Sequence, residues 1–304
     1  DMLYGHIWNS RDSSLYATLK EATENAKSGD TLYLGEGNYT LYGIKSDGTT
    51  KGKDLTFVGS GVDVTAWNIG APVPDPANYG TEYNGDYSFD GAGTVTFENM
   101  TLRSGSVDYL GFIRADKTVV DNCKINGETC YWGYTSATFN DTTFNAPSDQ
   151  YALWTYSSQA MTFDNCIFNA SGKVINVYTD DGAKKHNVTV TFDSCTVNST
   201  KAGKTALSIN DSLMTDYGHK FYVNIIGNNT INGLKPDTKT CSRLFGFSND
   251  KINPYNGKEY DSGSTVVTIN NTPVWQDGAR FVKHNGNNFE GTYDNGTGSG
   301  SANQ

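Results

Sequence analysis

The chain has 304 residues, of which 36% are hydrophobic and 18% charged, and its formal net charge at pH 7 is −10. This acidic balance argues against a nucleic-acid partner, which requires a basic patch, and no apolar run is long enough to cross a membrane. With 33 glycines and 19 tyrosines, the composition fits a surface-rich β architecture that does not insert into a membrane.

The first predicted element is a short amphipathic helix over residues 14–26. Its apolar residues recur at helical spacing and form one stripe: Leu15, Leu19, Ala22 and Ala26. Ser13 or Ser14 can cap the start of this helix, and Gly29 can cap its end. We expect the helix to cover the open end of the strands that follow, where it shields strand edges and core.

A seven-residue phrase then recurs along the chain and carries the fold prediction. The copy at residues 163–169 reads Phe-Asp-Asn-Cys-Ile-Phe-Asn, with apolar residues at its first and sixth places. The copies begin at Phe57, Phe97, Val120, Phe139, Phe163, Phe192, Ile226 and Ile269. Steps of 19 to 43 residues between copies indicate a solenoid with inserted loops, and the β-branched and aromatic content indicates strands.

Two columns of the phrase are predicted to stack between successive copies. The third place is Asn in five copies, at Asn99, Asn122, Asn165, Asn228 and Asn271. We expect these side chains to form a hydrogen-bonded Asn ladder in the turns. The fourth place holds Cys123, Cys166 and Cys195, which we expect to be small buried residues rather than a disulfide framework.

A second phrase lies between the copies, and its second residue is always bulky and apolar: Phe112, Tyr131, Leu153, Ile175, Leu207, Leu244 and Phe281. We expect this column to face the core. Because strand side chains alternate between faces, the residues one and three places later then face solvent. The predicted ligand-binding residues lie in those outward columns: Trp132, Tyr134, Trp154, Tyr156, Asn176, Tyr178 and Asn210. Exposed aromatic rings of this kind can stack on sugar rings, and the amides can bind hydroxyl groups.

Three aspartates just beyond this face offer an alternative chemistry. Asp180, Asp181 and Asp211 could act as paired carboxylates in glycoside hydrolysis, or could bind Ca²⁺ through their oxygen atoms. Asp residues in turns most often cap backbone groups, and no paired spacing of cysteines or histidines predicts a metal site. We therefore predict no catalytic residue and no cofactor, with Ca²⁺ as the one ion that these side chains suit.

The N-terminal helix, the phrase Gly-Asp-Thr-Leu-Tyr-Leu at residues 29–34 and the later Asn-Cys-x-Phe-Asn copies carry a resemblance. Over roughly residues 14–290 the chain resembles right-handed parallel β-helix proteins of the pectin-lyase-like superfamily. The resemblance implies an all-β fold, a right-handed parallel β-helix (solenoid) with a short N-terminal capping α-helix. The catalytic motifs of polygalacturonase-like and pectate-lyase-like members are not matched beyond Asp180-Asp181, so none is carried over.

These patterns predict one β-helix domain over residues 1–290 and a flexible Gly/Ser-rich tail or linker over residues 291–304. The chain also resembles adhesin-type domains of bacterial cell-surface proteins. We therefore expect an extracellular, secreted or surface-bound binding module, monomeric within a longer multidomain chain, whose partner is a glycan or another host-surface ligand. The alternatives are a polysaccharide lyase or glycoside hydrolase that uses Asp180, Asp181 and Asp211, and a structural stalk.

Overall fold

The computed structural model describes residues 3–41, 44, 49–69, 88–103, 109–146, 153–155, 158–170, 175–178, 186–199, 207–210, 218–232, 245–247, 265–275, 281–285 and 288–293. These residues fall into two compact units, residues 1–145 and 146–304. The described elements are one short helix and many strands, which confirms the all-β prediction. No helix in the described ranges is long and apolar enough to cross a membrane.

The described part of the first unit contains helix α1, at Leu19–Glu24, and a series of short strands. The strands are β1 Ile7–Asn9, β2 Ser14–Tyr16, β3 Asp30–Leu34, β4 Gly37–Thr40, β5 Leu55–Val58, β6 Thr65–Asn68, β7 Thr94–Glu98, β8 Thr101–Arg103, β9 Tyr109–Ile113, β10 Lys117–Asp121, β11 Lys124–Asn126, β12 Glu128–Trp132, β13 Ser136–Asn140 and β14 Thr143–Asn145.

These strands form three sheets within the first unit. Sheet A has the order β2-β1-β3-β5-β7-β10-β13, sheet B the order β4-β6-β8-β11-β14, and sheet C pairs β9 with β12. All pairs are parallel except those of β1 with β2 and with β3. From β7 onward the chain visits sheets A, B and C in turn, so each circuit adds one parallel strand to each sheet. This order is consistent with the predicted β-helix-like or solenoid fold.

The second unit repeats the same kind of pairing. Its strands are β15 Leu153–Thr155, β16 Ala160–Asp164, β17 Ile167–Ala170, β18 Ile175–Tyr178, β19 Val188–Asp193, β20 Thr196–Ser199, β21 Leu207–Asn210, β22 Phe221–Ile226, β23 Thr230–Asn232, β24 Phe245–Phe247, β25 Thr265–Ile269, β26 Thr272–Trp275, β27 Phe281–Asn285 and β28 Asn288–Tyr293. Parallel ladders join β16-β19-β22-β25, β17-β20-β23 and β15-β18-β21-β24. The pairs β25-β26 and β27-β28 are antiparallel.

From β7 onward in the first unit, sheet A passes into sheet B through a tight turn that contains one left-handed residue. Asn99, Asn122 and Asp141 have φ angles of 56°, 50° and 49°. Asn and Asp tolerate this conformation because their short polar side chains hydrogen-bond locally. The Asn122 side-chain N–H donates to Asn99 Oδ1 over 2.9 Å, which confirms the predicted Asn ladder between these two turns.

Two inward columns build the core of the first unit. Sheet A contributes the first-place residues Phe57, Phe97, Val120 and Phe139, and sheet B contributes Trp67 and the sixth-place residues Leu102, Ile125 and Phe144; each is at most 1% exposed. Phe57 stacks on Phe97 with ring centroids 5.8 Å apart. The Trp67 indole N–H donates to the Leu41 carbonyl oxygen over 3.1 Å, so its polar atom is satisfied inside the core. The apolar first and sixth places of the phrase therefore form the core of this unit.

The cysteine column is likewise buried and lies directly after the left-handed residue. Cys123, Cys166 and Cys195 are free thiols, each at most 2% exposed. Burial raises the pKa of Cys123 to about 12. A thiol with so high a pKa is protonated at neutral pH and chemically inert, as expected for a packing residue.

The phrase predicted to begin at Ile226 begins one residue earlier. Ile225 pairs with Phe192 and is 3% exposed, whereas Ile226 pairs with Asp193. The following turn holds one more residue than its neighbour, because Thr230 and Ile231 pair with Thr196 and Val197. Gly227, with φ of 71°, absorbs this insertion.

The N-terminal helix is shorter than the predicted span of residues 14–26. Ser14–Tyr16 forms β2, and α1 covers only Leu19–Glu24, with the Thr18 hydroxyl accepting the Glu21 N–H over 3.2 Å. A turn in which Asp12 Oδ1 accepts the Ser14 N–H directs the residues that follow it, Ser14–Tyr16, into pairing with β1. Leu15 is consequently 51% exposed, whereas Leu19, Ala22 and Ala26 are buried as predicted.

A buried carboxylate ties the first turn to sheet A. Asp30 is 3% exposed and accepts hydrogen bonds from Arg11 Nε at 2.8 Å, Asn9 Nδ2 at 2.8 Å and the Lys27 N–H at 2.7 Å. Burial alone would raise the pKa of Asp30, but the hydrogen bonds from Arg11, Lys27 and Asn9 together hold it below its ordinary value.

We expect Asp30→Asn to lower the free energy of unfolding by about 2 kcal/mol, because the neutral amide cannot accept all three hydrogen bonds and removes the buried carboxylate that pairs with Arg11. Since the folded-state pKa is depressed, the stabilisation is present above the ordinary carboxyl pKa of about 3.9 and is lost as pH falls through the folded value. Urea unfolding at neutral and acidic pH measures both effects. Asp63→Asn, at a side chain that is 83% exposed, is the control. Equal stability of Asp30→Asn and wild type would contradict the assignment.

Candidate functional site

The first predicted ligand residue, Trp132, lies in the core. Its side chain is 0% exposed and contacts Phe97 and Phe139 edge to face, with ring centroids 6.3 and 5.3 Å away. In sheet C it pairs with Ile113, which is also buried. The prediction that Trp132 faces solvent is therefore wrong, and it cannot contribute to a surface for sugar stacking.

The error lies in the face assigned to the third place of the phrase and not in the alignment of the copies. Tyr131 pairs with Phe112 and Trp132 with Ile113, as expected, but the third-place residues Ile113 and Trp132 are both buried. The two register shifts in the pairing of β9 with β12 lie before Tyr131. Burial of the large indole removes more apolar area from water than any other side chain in the strand offers, which favours this facing.

Tyr134 retains the outward position predicted for it and is 39% exposed. Its hydroxyl donates to Asp90 Oδ1 over 3.1 Å and accepts a hydrogen bond from Arg114 Nη1 at 3.5 Å. Burial raises the pKa of Tyr134, Arg114 lowers it and Asp90 raises it, and the net shift is upward. The ring is thus a neutral surface group at neutral pH, anchored by two charged side chains.

The remaining predicted ligand residues are described only in part. Backbone pairing places Trp154 opposite Asn176, and Tyr178 opposite Asn210, so the expected alignment on neighbouring strands is confirmed for the main chain. Tyr156 and the three aspartates Asp180, Asp181 and Asp211 lie outside the described residues. Their ligand-binding and catalytic roles stay predictions. Within the described ranges, no group of three His, Cys, Asp or Glu side chains could hold a metal ion.

The described part of the first unit contains an open groove over the outer face of sheet B. It encloses about 460 Å³, within the roughly 300–1,000 Å³ typical of ligand sites. Strands β4, β6, β8 and β11 line it together with the segments that precede β1 and β6. Its principal side chains are Tyr4, Asn38, Asp63, Arg103, Lys124 and Asn126.

Strict alternation along sheet B places these polar side chains outside. Tyr39, Trp67, Leu102 and Ile125 pair across the sheet and point into the core. The residue after each of them therefore lies on the outer face, and together these residues form one polar row. We call this the outer row, which continues into β14: Thr40, Asn68, Arg103, Asn126 and Asn145.

Hydrogen bonds between neighbouring strands hold the outer row in a defined geometry. Arg103 Nε donates to Asn68 Oδ1 over 2.6 Å, and Asn68 Nδ2 donates to Thr40 Oγ1 over 3.3 Å. Arg103 Nη2 donates to Asn38 Oδ1 over 2.9 Å, and Asn145 Nδ2 donates to Asn126 Oδ1 over 2.8 Å. The guanidinium and the amides are thus oriented before any ligand arrives.

The groove also contains apolar and paired ionic groups. Tyr4 is 64% exposed and Val64 is 41% exposed, so an aromatic ring and an aliphatic side chain face the solvent beside the polar row. Lys124 Nζ lies 3.2 Å from Asp63 Oδ1 in an exposed pair. Such a pair contributes little to stability because both side chains stay hydrated.

No family model matches the chain, and no curated protein matches it.

The groove was not predicted from the sequence, although a signal for it was present. Arg103 and Asn126 occupy the seventh place of their copies, directly after the inward sixth-place residue. The alternation rule alone puts that place on the outer face of sheet B. The contribution of Tyr4 has no comparable signal, because it comes from a turn far from these strands in sequence.

We expect Trp132→Ala to lower the free energy of unfolding by about 3–5 kcal/mol, since it opens a cavity between Phe97 and Phe139. Tyr134→Ala, at a partly exposed ring, is the matched control and should cost less. Urea unfolding followed by circular dichroism measures both. A Trp132→Ala variant as stable as the Tyr134→Ala variant would place the indole outside the core.

Proposed function

We propose that the protein is a glycan-binding module and that its ligand lies in the groove over sheet B of the first unit. The observation that carries this proposal is an open polar groove in which oriented amides and a guanidinium lie beside an exposed tyrosine ring. The proposal moves the ligand from the aromatic face predicted in sheet C to the outer face of sheet B.

The chemistry of the groove suits sugars better than most other ligands. A sugar ring presents hydroxyl groups at its rim and an apolar face, so it needs both hydrogen-bonding groups and a flat ring. The amides of Asn38 and Asn126 can each donate and accept, which matches hydroxyl groups of either role. The exposed ring of Tyr4 offers a surface on which an apolar sugar face can stack.

The open shape of the groove favours an oligosaccharide over a small enclosed ligand. Neighbouring strands of a sheet lie about 4.8 Å apart, so the strands present similar polar groups at a regular spacing. An extended polymer laid across β4, β6, β8 and β11 can meet several of these groups in succession. We expect many individually weak contacts, as in other wet polar interfaces.

The scaffold is part of the same proposal. We propose a right-handed parallel β-helix of the pectin-lyase-like type, located outside the cell as in the adhesin-type domains that the sequence resembles. The recurrent order of sheets A, B and C supports the helical winding. The right hand is supported by the general preference of parallel strand connections, which are right-handed in about 98% of cases.

A glycan array probed with the wild-type protein tests the proposed function. The same array probed with the Tyr4→Ala variant tests whether the ligand lies in the groove. We expect the wild type to bind at least one class of oligosaccharide and Tyr4→Ala to bind it about 3- to 10-fold more weakly, because ring stacking is lost. Tyr33→Ala is the matched control, since this ring is 37% exposed but lies in β3, away from the groove.

The outcomes separate the site from the function. Binding to no glycan would refute the proposed function. Glycan binding that Tyr4→Ala and Tyr33→Ala weaken equally would leave the function in place and exclude this groove.

A further inference from the structure

We propose that the groove selects glycans that carry an oxyanion, a carboxylate or a sulfate, and that Arg103 binds this group. The inference rests on the proposed glycan-binding function and specifies the class of glycan. Three observations support it: the hydrogen bonds that orient the guanidinium, the charges around it, and the N–H donors that these hydrogen bonds leave unused.

Arg103 is held by two neutral groups. Its Nε bonds to Asn68 Oδ1 at 2.6 Å and its Nη2 to Asn38 Oδ1 at 2.9 Å. These amide oxygens fix the plane of the guanidinium from two neighbouring strands, β6 and β4. Because both partners are uncharged, they orient the guanidinium without neutralising its positive charge.

The guanidinium has no carboxylate partner among the residues that the structure describes. The charged pairs of the described ranges join Arg11 to Asp12 and Asp30, and Lys124 to Asp63. Glu36 also lines the groove. The positive charges of Arg103 and Lys124 are therefore balanced by the negative charges of Asp63 and Glu36, and the net charge of the groove is zero. Lys124 is nevertheless neutralised locally by Asp63, whereas the charge of Arg103 is available to a ligand.

Arg103 retains donors with which to bind an anion. A guanidinium has five N–H groups, and the two bonds to Asn68 and Asn38 use two of them. The three that remain can reach a carboxylate or sulfate through two parallel hydrogen bonds, which is the strongest arrangement for such groups. Arg103 is partly buried in the groove, so the interaction is less screened than at an open surface.

The acidic character of the whole chain does not oppose this local attraction. The net charge of −10 is spread over 304 residues, and exposed charges are screened beyond about 8–10 Å at physiological ionic strength. An anionic group in contact with Arg103 therefore responds mainly to the guanidinium. Since one ion pair is involved, we expect moderate selectivity and a shallow dependence on salt.

Matched pairs of polymers test the inference. One pair is a carboxylated polysaccharide and its carboxyl-reduced form, and the other is a sulfated polysaccharide and its desulfated form. We expect the wild type to bind the anionic member of at least one pair roughly tenfold or more tightly, as a charge-assisted bidentate contact allows. The pair that shows the difference identifies which oxyanion is recognised.

Three variants assign the selectivity to Arg103. Arg103→Gln keeps a donor for Asn68 but removes the charge, and we expect it to bind both members of the pair equally. Asn68→Asp places a carboxylate against the Arg103 guanidinium, and we expect the same loss of preference with the Arg103 side chain retained. Lys117→Gln is the matched control, because it removes one positive charge from an exposed position of β10 in sheet A, outside the groove, and it should keep the preference. Thermal unfolding followed by circular dichroism verifies that each variant is folded.

The results distinguish the inference from the function on which it rests. Equal wild-type affinity for both members of each pair refutes the inference while leaving glycan binding intact. A preference that survives Arg103→Gln excludes Arg103 as the anion site, and one that is lost equally in Lys117→Gln contradicts the inference because it depends on net charge alone. Failure of the wild type to bind any neutral or anionic polymer refutes the proposed function and the inference together.

Discussion

The constant length of the turns from β7 to β8, from β10 to β11 and from β13 to β14 is the constraint on which this part of the first unit depends. Each of these three turns between sheets A and B contains one residue in the left-handed region, at Asn99, Asn122 or Asp141. The inward residue of sheet A is followed five positions later by the inward residue of sheet B, as in Phe97 and Leu102. Because this spacing is repeated, these strands stack in register, and their core columns and their members of the outer row follow from it.

The prediction from sequence succeeded where this turn governs the geometry and failed where it does not. The apolar first and sixth places of the phrase coincide with the core positions of sheets A and B because short turns of fixed length leave no freedom of register. In sheet C the copies align as expected, with Tyr131 opposite Phe112, but the third place, which was expected to face solvent, lies in the core at Ile113 and Trp132. The phrase around Ile225 shows the same principle, since one extra turn residue displaced the predicted start.

The candidate groove was missed for a different reason. The second phrase carries aromatic residues at the places expected to face solvent, but a tryptophan in a repeating column is also the side chain that gains most from burial. In the sequence, the polar residues at the seventh place indicate only where a strand ends. Their role becomes visible through contacts between strands, such as that of Arg103 with Asn68, and through the approach of Tyr4 from a distant turn.

Stability does not explain why the partners of Arg103 are amides and not carboxylates. A carboxylate at Asn38 or Asn68 would form an exposed or partly exposed ion pair, which contributes only about 0–1 kcal/mol. Either side chain can therefore satisfy the guanidinium at similar stability, but only the amide leaves its charge free to attract an anion. Since the inward columns carry the packing, the outer row can be adapted to a ligand without disturbing the fold. An uncompensated guanidinium held by neutral groups is therefore better explained by binding than by folding.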